Sequence, residues 1–430
     1  MKIVIVGTGY VGLVTGVCFA EVGHSVTCVD IDEIKIEMIN SGKSPIYEQG
    51  LEELLIKNVN LGRLKATTDY RSTYSEAEVI FIGVGTPELP DGSVDLSYIE
   101  IVLKQIAENV ARDCLVVVKS TVPVGTNDKM EQLVKEYQVN DVHIELASNP
   151  EFLSQGTAVR DTLHASRIII GTQNRQAEEL LRAMYEPFGL PIVSVSRKDA
   201  EMIKYASNCF LAMKISYMND IANLCELVGA DITAVAKGMS YDKRIGEHFL
   251  NAGIGYGGSC LPKDTKALAA IAAENGYELM TVNAAIEINK KQKTKLLKMA
   301  GKRFDNFQNR KVAVLGLSYK QGTDDLREAP SLENVTLLIA QGANIYVYDP
   351  VAEDNFKKKL PNEVAYANTP EEALLDAEVC FIFTEWQQIR DVTPESYKKL
   401  MSIPVIYDGR NLYNPKDMRE AGFEYYSIGR

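Results

Sequence analysis

Two rhythms of apolar residues alternate along the chain. Up to about residue 196, short unbroken runs (KIVIVG, SVTCVD, VIFIGV, LVVVKS, IELAS, RIIIGT, PIVSVS) are separated by stretches with helical spacing. Unbroken Val/Ile runs suit strands covered on both faces, so they predict a mostly parallel, doubly wound sheet. From about residue 199 the pattern becomes DAEMIKYASNCFLAMKISYMNDIANLCELVGA, with no glycine or proline before Gly229. This predicts one long central helix, apolar around much of its circumference and therefore in need of cover from flanking lobes or from a second subunit. After a further helical region, KVAVLGL, NIYVYDP, EVCFIFTEW and PVIYDGRN restore the first rhythm. The expected fold class is α/β: two Rossmann-like doubly wound lobes joined by a long central helix, with boundaries at 1–196, 197–300 and 301–430.

Composition narrows the class. A chain of 430 residues with 46% hydrophobic and 24% charged residues is long enough for two or three domains and does not read as disordered. A formal net charge of -12 disfavours non-specific attraction to nucleic acid or to an anionic membrane surface. The seven cysteines are scattered, without a CxxC pair or a Cys/His cluster at metal spacing, which fits reduced thiols in a cytoplasmic protein with no metal site. The opening MKIVIVGTGYVG enters a strand-like run at once rather than a charged and then apolar export signal, and no apolar run approaches the roughly 20 residues of a membrane span.

In VGTGYVG, the glycines Gly7, Gly9 and Gly12 follow a strand and open a helical pattern, and Asp30 ends the next strand. Gly7 permits a tight turn, Gly9 lets backbone approach a pyrophosphate at a helix N-terminus, and Gly12 allows close helix packing. Asp30 would accept hydrogen bonds from ribose hydroxyls and repel a 2′-phosphate, so NAD is the expected cofactor.

Lys204 and Asn208, four apart, share one face of the central helix. A lysine near a helix start is ordinarily solvated, but a buried one needs a partner or a purpose. Cys260 sits in GIGYGGSCLPKD; a lone cysteine is commonly a small buried hydrophobe, whereas four glycines before it are a poor way to pack a core and a good way to bring backbone near a ligand. A neighbouring lysine such as Lys204 would favour its thiolate. Lys263 and Asp264 read equally well as solvated charges. Thr121 in KSTVPVGT and Glu151 in SNPEFL follow buried strands, where open α/β sheets bind ligands, although helix capping and a first-turn acid are commoner uses of such residues.

Taken in order, GTGYVG, VGTP, KSTVPVGT, NPEFL, EMIKYASN, RIGEHFLNAGIGYGGSCLPKD, GLSYKQGTDDLREAP and DGRN resemble the UDP-glucose/GDP-mannose dehydrogenases over essentially the whole chain. The resemblance implies a four-electron oxidation of a sugar C6 alcohol to a carboxylate with two NAD⁺ and one water, through a thiohemiacetal and thioester on Cys260. UDP-glucose is the favoured substrate, ahead of GDP-mannose or a UDP-N-acetylhexosamine. Lys204 and Asn208 would stabilise the oxygen at C6, and Thr121, Glu151 and Asp264 would handle water and protons.

For the cofactor, the resemblance implies Gly7, Gly9, Tyr10, Val11, Gly12, Asp30, Lys35, Thr86, Thr121, Glu151, Lys263 and Arg327. Around the sugar nucleotide it places Glu151, Phe152, Leu153, Lys204, Asn208, Phe249, Leu250, Asn251, Ala252, Gly253, Gly257 and Lys320, with Arg244 reaching into a neighbouring subunit of a homodimer. On this reading 1–196 holds NAD, 197–300 connects and dimerises, and 301–430 holds the UDP-sugar. Ser154, Gln155 and Gln321 depart from the family's usual residues without touching the proposed chemistry. A two-electron dehydrogenase of the β-hydroxyacid type would need neither Cys260 nor the second lobe, and a non-catalytic NAD-binding protein would not need every proposed catalytic position filled.

Overall fold

A computed structural model describes residues Met1–Arg430. The chain divides into two compact units, Met1–Ser207 and Asn208–Arg430.

The first unit is built on β1 (Lys2–Val6), β2 (Ser25–Val29), β3 (Leu64–Thr67), β4 (Val79–Ile82), β5 (Cys114–Val118), β6 (Ile144–Ser148), β7 (Ile168–Gly171) and β8 (Ile192–Val195). They form one sheet in the order β3-β2-β1-β4-β5-β6-β7-β8, parallel except for a single antiparallel pair, Ser148 with Gly171, between β6 and β7. Alternate residues of one strand feed different cores. Ile3, Ile5, Leu115 and Val117 pack on one face, and Val4, Val6, Val116 and Val118 on the other. Burial on both faces is why these strands read as unbroken apolar runs, each fully buried Val or Ile contributing about 1.5–3 kcal/mol.

The second unit repeats the plan with β9 (Lys311–Leu315), β10 (Asn344–Tyr348), β11 (Ala365–Tyr366), β12 (Val379–Ile382), β13 (Val405–Asp408) and β14 (Glu424–Ser427), ordered β11-β10-β9-β12-β13-β14. The repeat extends to detail: Gly7 N–H donates to Val29 O at 2.8 Å, and Gly316 N–H donates to Tyr348 O at 2.8 Å. Both glycines hold positive φ, 92° and 87°, beyond the reach of most side chains.

One helix of 32 residues, Arg197–Val228, carries the chain through the division between the units. Ala200, Tyr205, Cys209, Ala212, Met218 and Ala222 are buried along it, while Met202, Phe210, Tyr217, Leu224, Leu227 and Val228 are exposed. The predicted apolar circumference is thus only partly covered within one chain.

Candidate active site

The glycine turn of the first unit is shaped for a dinucleotide. A methyl group on Gly12 would lie 1.9 Å from Gly7 O, so helix Tyr10–Glu21 packs against the turn with no space to spare. At Gly9, by contrast, nothing lies within 4 Å of such a group: the surface there is open. Gly9 is the N-cap, no side chain caps it, and the first turn, which begins with Tyr10 and Val11, contains no acid. An anion would meet bare N–H groups and a favourable dipole.

Asp30 closes the turn. Its Oδ2 accepts from Thr8 N–H at 2.7 Å and Thr8 Oγ1 at 2.6 Å, and its Oδ1 from Asp32 N–H at 3.1 Å. Burial alone would push this carboxyl up, but the Thr8 and Asp32 donors and the charge of Lys35 outweigh it and hold the pKa below the ordinary value. An ionised acid beside an open pyrophosphate surface fits the adenosine ribose of NAD. Thr86 lies buried just beyond β4.

The corresponding acid of the second unit is spent on the protein itself. Asp349 Oδ2 accepts from Leu317 N–H at 2.7 Å, Ser318 N–H at 3.1 Å and Trp386 Nε1 at 2.9 Å, while its Oδ1 accepts from Val351 and Ala352 N–H at 2.9 and 2.8 Å. A methyl on Gly316 would strike Thr384 at 2.5 Å. The acid of that turn is engaged by the protein's own donors, so the first turn is the one whose acid and open surface suit a dinucleotide.

At the carboxyl ends of β5 and β6 the first unit holds a buried polar cluster. Glu151 Oε1 pairs with Lys204 Nζ at 2.9 Å, and Leu153 N–H donates to Glu151 Oε2 at 2.7 Å. The first helix after Glu151 begins at Ala158, so Glu151 is not the first-turn acid that its sequence allows. Lys204 also lies 5.4 Å from the centre of the Phe152 ring.

Sequence reasoning missed three members of this cluster. Asn149 Oδ1 accepts from Lys119 Nζ at 3.0 Å and from Tyr185 Oη, while its Nδ2 donates to Ile169 O at 2.7 Å. Burial pushes the Lys119 pKa down to about 8, against the charge of Glu151, which favours the ammonium; Lys204 opposes it further. Glu201, three residues before Lys204, accepts from Gly125 N–H at 2.5 Å and from Asn127 N–H and Nδ2 at 2.9 and 2.7 Å. It therefore caps helix Thr126–Tyr137 from outside, and Thr121, five residues ahead of that helix, is not its cap. The readable signals were an Asn two residues before Glu151 and a Glu on the turn before Lys204.

In the second unit, Cys260 is the N-cap of helix Leu261–Glu274, and its carbonyl accepts from Asp264 N–H at 2.8 Å. No cysteine forms a disulfide; six of the seven are buried and Cys260 is half-buried. A thiol at a helix N-terminus gains thiolate character from the dipole. Asp264, 1% exposed, accepts from Asn208 Nδ2 at 2.6 Å and from Lys263 Nζ at 2.7 Å. Asp264 is thus not a solvated charge.

The glycines before Cys260 serve a use that the sequence did not reveal: residues 252–258 are buried. A methyl on Gly253 would lie 2.8 Å from Gly409 O, one on Gly255 2.5 Å from Asn289 Oδ1, one on Gly257 2.5 Å from Glu328 O, and one on Gly258 2.7 Å from Tyr319 Cζ. The close approach is to the protein's own backbone and side chains, and it leads the segment through the interior to the thiol. Asn219 Oδ1 accepts from Gly253 N–H at 2.8 Å, and Asn289 exchanges hydrogen bonds with Tyr256 N–H and O at 2.8 and 3.0 Å.

Ahead of these glycines, Leu250 and Ala252 are buried and Asn251 is exposed, while Phe249 holds φ 63°, a strained value for a bulky residue. Lys320 Nζ lies 5.7 Å from the Tyr319 ring centre, and Arg327 grips Asp325 with Nε and Nη2, the latter at 2.6 Å. Arg244 is 90% exposed in its side chain and forks onto Asp242. Lys263 and Arg327, implied for the cofactor, belong to the second unit.

An open glycine turn with its ionised acid, and an accessible thiol at the head of a helix over a buried Asn–Asp pair, define a class: dinucleotide-dependent dehydrogenases that carry such a thiol. Family models agree in three consecutive parts: the NAD binding domain of the UDP-glucose/GDP-mannose dehydrogenase family over residues 1–189, its central domain over 198–291 and its UDP binding domain over 313–415. The chain belongs to the UDP-glucose/GDP-mannose dehydrogenase family.

Among known relatives, UDP-glucose 6-dehydrogenase YwqF of Bacillus subtilis is 49% identical over 430 residues, covering 100% of this chain and 98% of that protein. A UDP-glucose dehydrogenase from the hyperthermophilic archaeon Pyrobaculum islandicum superposes with a TM-score of 0.93 at 36% identity, covering 99% of this chain and 96% of the other. The UDP-D-ManNAc dehydrogenase of Pyrococcus horikoshii follows with a TM-score of 0.88 at 31% identity, covering 100% and 99%.

Proposed function

We propose that this protein is a UDP-glucose 6-dehydrogenase that converts UDP-glucose and water to UDP-glucuronate, with Cys260 as covalent nucleophile. The observation that carries the thiol's role is its position: of seven cysteines, six are buried and this one is accessible at a helix N-terminus, above the buried Asn208–Asp264 pair. Gly7, Gly9, Gly12, Asp30 and their neighbours would hold NAD, which would supply the two-electron acceptor at each of two oxidation levels.

The chain's own residues account for the rest. The C6 alcohol loses two electrons and two protons to become an aldehyde. The Cys260 sulfur then adds to the carbonyl carbon, the thiol proton passing to the oxygen side, and the resulting thiohemiacetal keeps the sugar bound. Loss of two further electrons and two protons gives a thioester; water adds, the C–S bond breaks, and the carboxylate leaves with release of the water's two protons as the thiolate is restored. Lys204 and Asn208, one turn apart on the central helix, stabilise the developing negative charge on the C6 oxygen. Glu151, Asp264 and Thr121 position water and take protons.

A homodimer completes the site. The exposed Phe210, Tyr217 and Leu224, seven residues apart in turn along the central helix, form a stripe suited to a second copy, and Arg244 extends from an exposed segment able to reach a neighbour. Seven thiols without a disulfide suit a cytoplasmic setting.

The test is the yield of NADH per UDP-glucose with sugar limiting. A ratio near two, as the two oxidation levels require, is expected. A ratio near one, with free aldehyde released, contradicts the covalent scheme.

A further inference from the structure

Glu328 stands out among the charged residues that the reaction does not use. Its backbone takes φ 55°, a conformation that a residue with a side chain rarely adopts. Its side chain joins two helices: Lys293 Nζ, from helix Met280–Lys293, makes a short hydrogen bond to Oε2, and Lys266 Nζ, from helix Leu261–Glu274, lies 3.4 Å from Oε1. Lys266 is thus on the helix that Cys260 heads. Burial pushes the Glu328 carboxyl up, but the Lys293 hydrogen bond and the charges of Lys293 and Lys266 outweigh it and hold the pKa below the ordinary value.

The backbone of the same segment presses on the nucleophile loop. Arg327 O accepts from Gly258 N–H at 2.8 Å, and Glu328 O lies where any side chain on Gly257 would be, 2.5 Å from the position of its Cβ. Gly257 and Gly258 stand three and two residues before Cys260. A carboxylate clamped by two lysines therefore holds a strained backbone turn, and that turn holds the segment ending at the thiol.

We propose that Glu328 is a positioning residue for Cys260, its ion pairs to Lys293 and Lys266 keeping the left-handed turn pressed against Gly257–Gly258 so that the thiol stays at the N-terminus of its helix. The proposal rests on the reading of Cys260 as the nucleophile. Left-handed backbone at a non-glycine residue persists only where its surroundings enforce it, and the two lysines are the enforcing contacts. Without them the turn relaxes, the loop loses its backing, and the sulfur leaves the dipole that favours its thiolate.

The experiment follows iodoacetamide alkylation of Cys260 by mass spectrometry across pH in the full-length protein, alongside steady-state kinetics. The six buried cysteines serve as an internal control for unfolding. In Glu328→Gln and Lys293→Met, the midpoint of the alkylation profile should move up by about half a pH unit, as loss of the dipole's favour for the thiolate requires. Turnover should fall about tenfold while KM for UDP-glucose changes less than about threefold, since misplacement of a reacting atom acts on kcat.

Glu328→Gly separates backbone from side chain: it adopts positive φ without strain, so it should keep turnover closer to wild type than Glu328→Gln does, and a Glu328→Gly variant as slow as Glu328→Gln overturns the role of the strained turn. Wild-type midpoints and turnover in Glu328→Gln and Lys293→Met overturn the proposal, as does a loss of turnover accompanied by alkylation of the buried cysteines. Failure of the underlying reading looks different: Cys260→Ala would still form uronate, whatever the Glu328 variants do to alkylation.

Discussion

Glu151 and Lys204 meet at 2.9 Å with side chains only 6% and 3% exposed, so each is the other's compensation for burial. Removing one partner strands a charge. Lys204→Met or Glu151→Gln alone should destabilise the fold by about 3 kcal/mol, and the double variant should cost less than the sum of the two. Denaturant unfolding of the four proteins measures the coupling; strict additivity would show that the pair contributes nothing as a pair. Turnover of Lys204→Met should fall about a hundredfold or more through loss of charge stabilisation at the C6 oxygen.

Lys119 gives a pH signature. Its pKa is about 8 in the folded protein, below the ordinary lysine value, because burial disfavours the ammonium despite Glu151. Below pH 8 both folded and unfolded chains hold the proton and the burial cost is complete. Above it the folded chain releases the proton first, so wild type gains stability relative to Lys119→Met until the unfolded lysine also titrates. The stability difference should move in favour of wild type by about 3 kcal/mol between pH 7 and about pH 10.5. Urea unfolding at several pH values checks this, and a difference that does not vary with pH contradicts it.

Two alanines in one turn should behave differently. Gly9→Ala meets no atom within 4 Å and should fold with unchanged thermal stability, yet it places a methyl where the pyrophosphate approaches, weakening NAD binding about tenfold or more. Gly12→Ala drives a methyl to 1.9 Å from Gly7 O and should lower stability as well. Calorimetric titration with NAD⁺ and thermal melts separate the two; equal NAD affinity in Gly9→Ala and wild type contradicts the assignment of the turn.

For the dimer, Phe210→Glu with Leu224→Glu places charges in the exposed apolar stripe and should yield monomers by light scattering, with turnover lost. Arg244→Ala should remain dimeric and lose kcat/KM. A fully active monomer would leave Arg244 without the role proposed for it.

The sheets were legible in the sequence where strands are buried on both faces. KIVIVG and LVVVKS were read at once because neither face of β1 or β5 meets water. β3, β11 and β14 escaped notice: each lies at an edge of its sheet and is short, β11 being only Ala365–Tyr366, and β3 and β14 interrupt their apolar residues with the exposed Lys65 and Glu424. Lys204, Asn208 and Cys260 were readable from their neighbours in sequence. Glu201 and Glu328 were not, since their partners are remote: Glu201 caps through Asn127, 74 residues away, and Glu328 bridges to Lys293, 35 away. The glycines before Cys260 were noticed for the right property, close approach, although the surface approached is the protein's own.

Trp386, by donating to Asp349, has a consequence for the order of events. With the acid of the second turn engaged by an indole, the first turn is the berth suited to a dinucleotide, whereas an alcohol must be oxidised twice to become a carboxylate. The berth has to be vacated and refilled between the two oxidations, and for that interval the half-oxidised sugar must not diffuse away. On the proposed scheme the carbon–sulfur bond to Cys260 is a tether that outlasts the exchange, so the open turn and the accessible thiol are two halves of one timing arrangement.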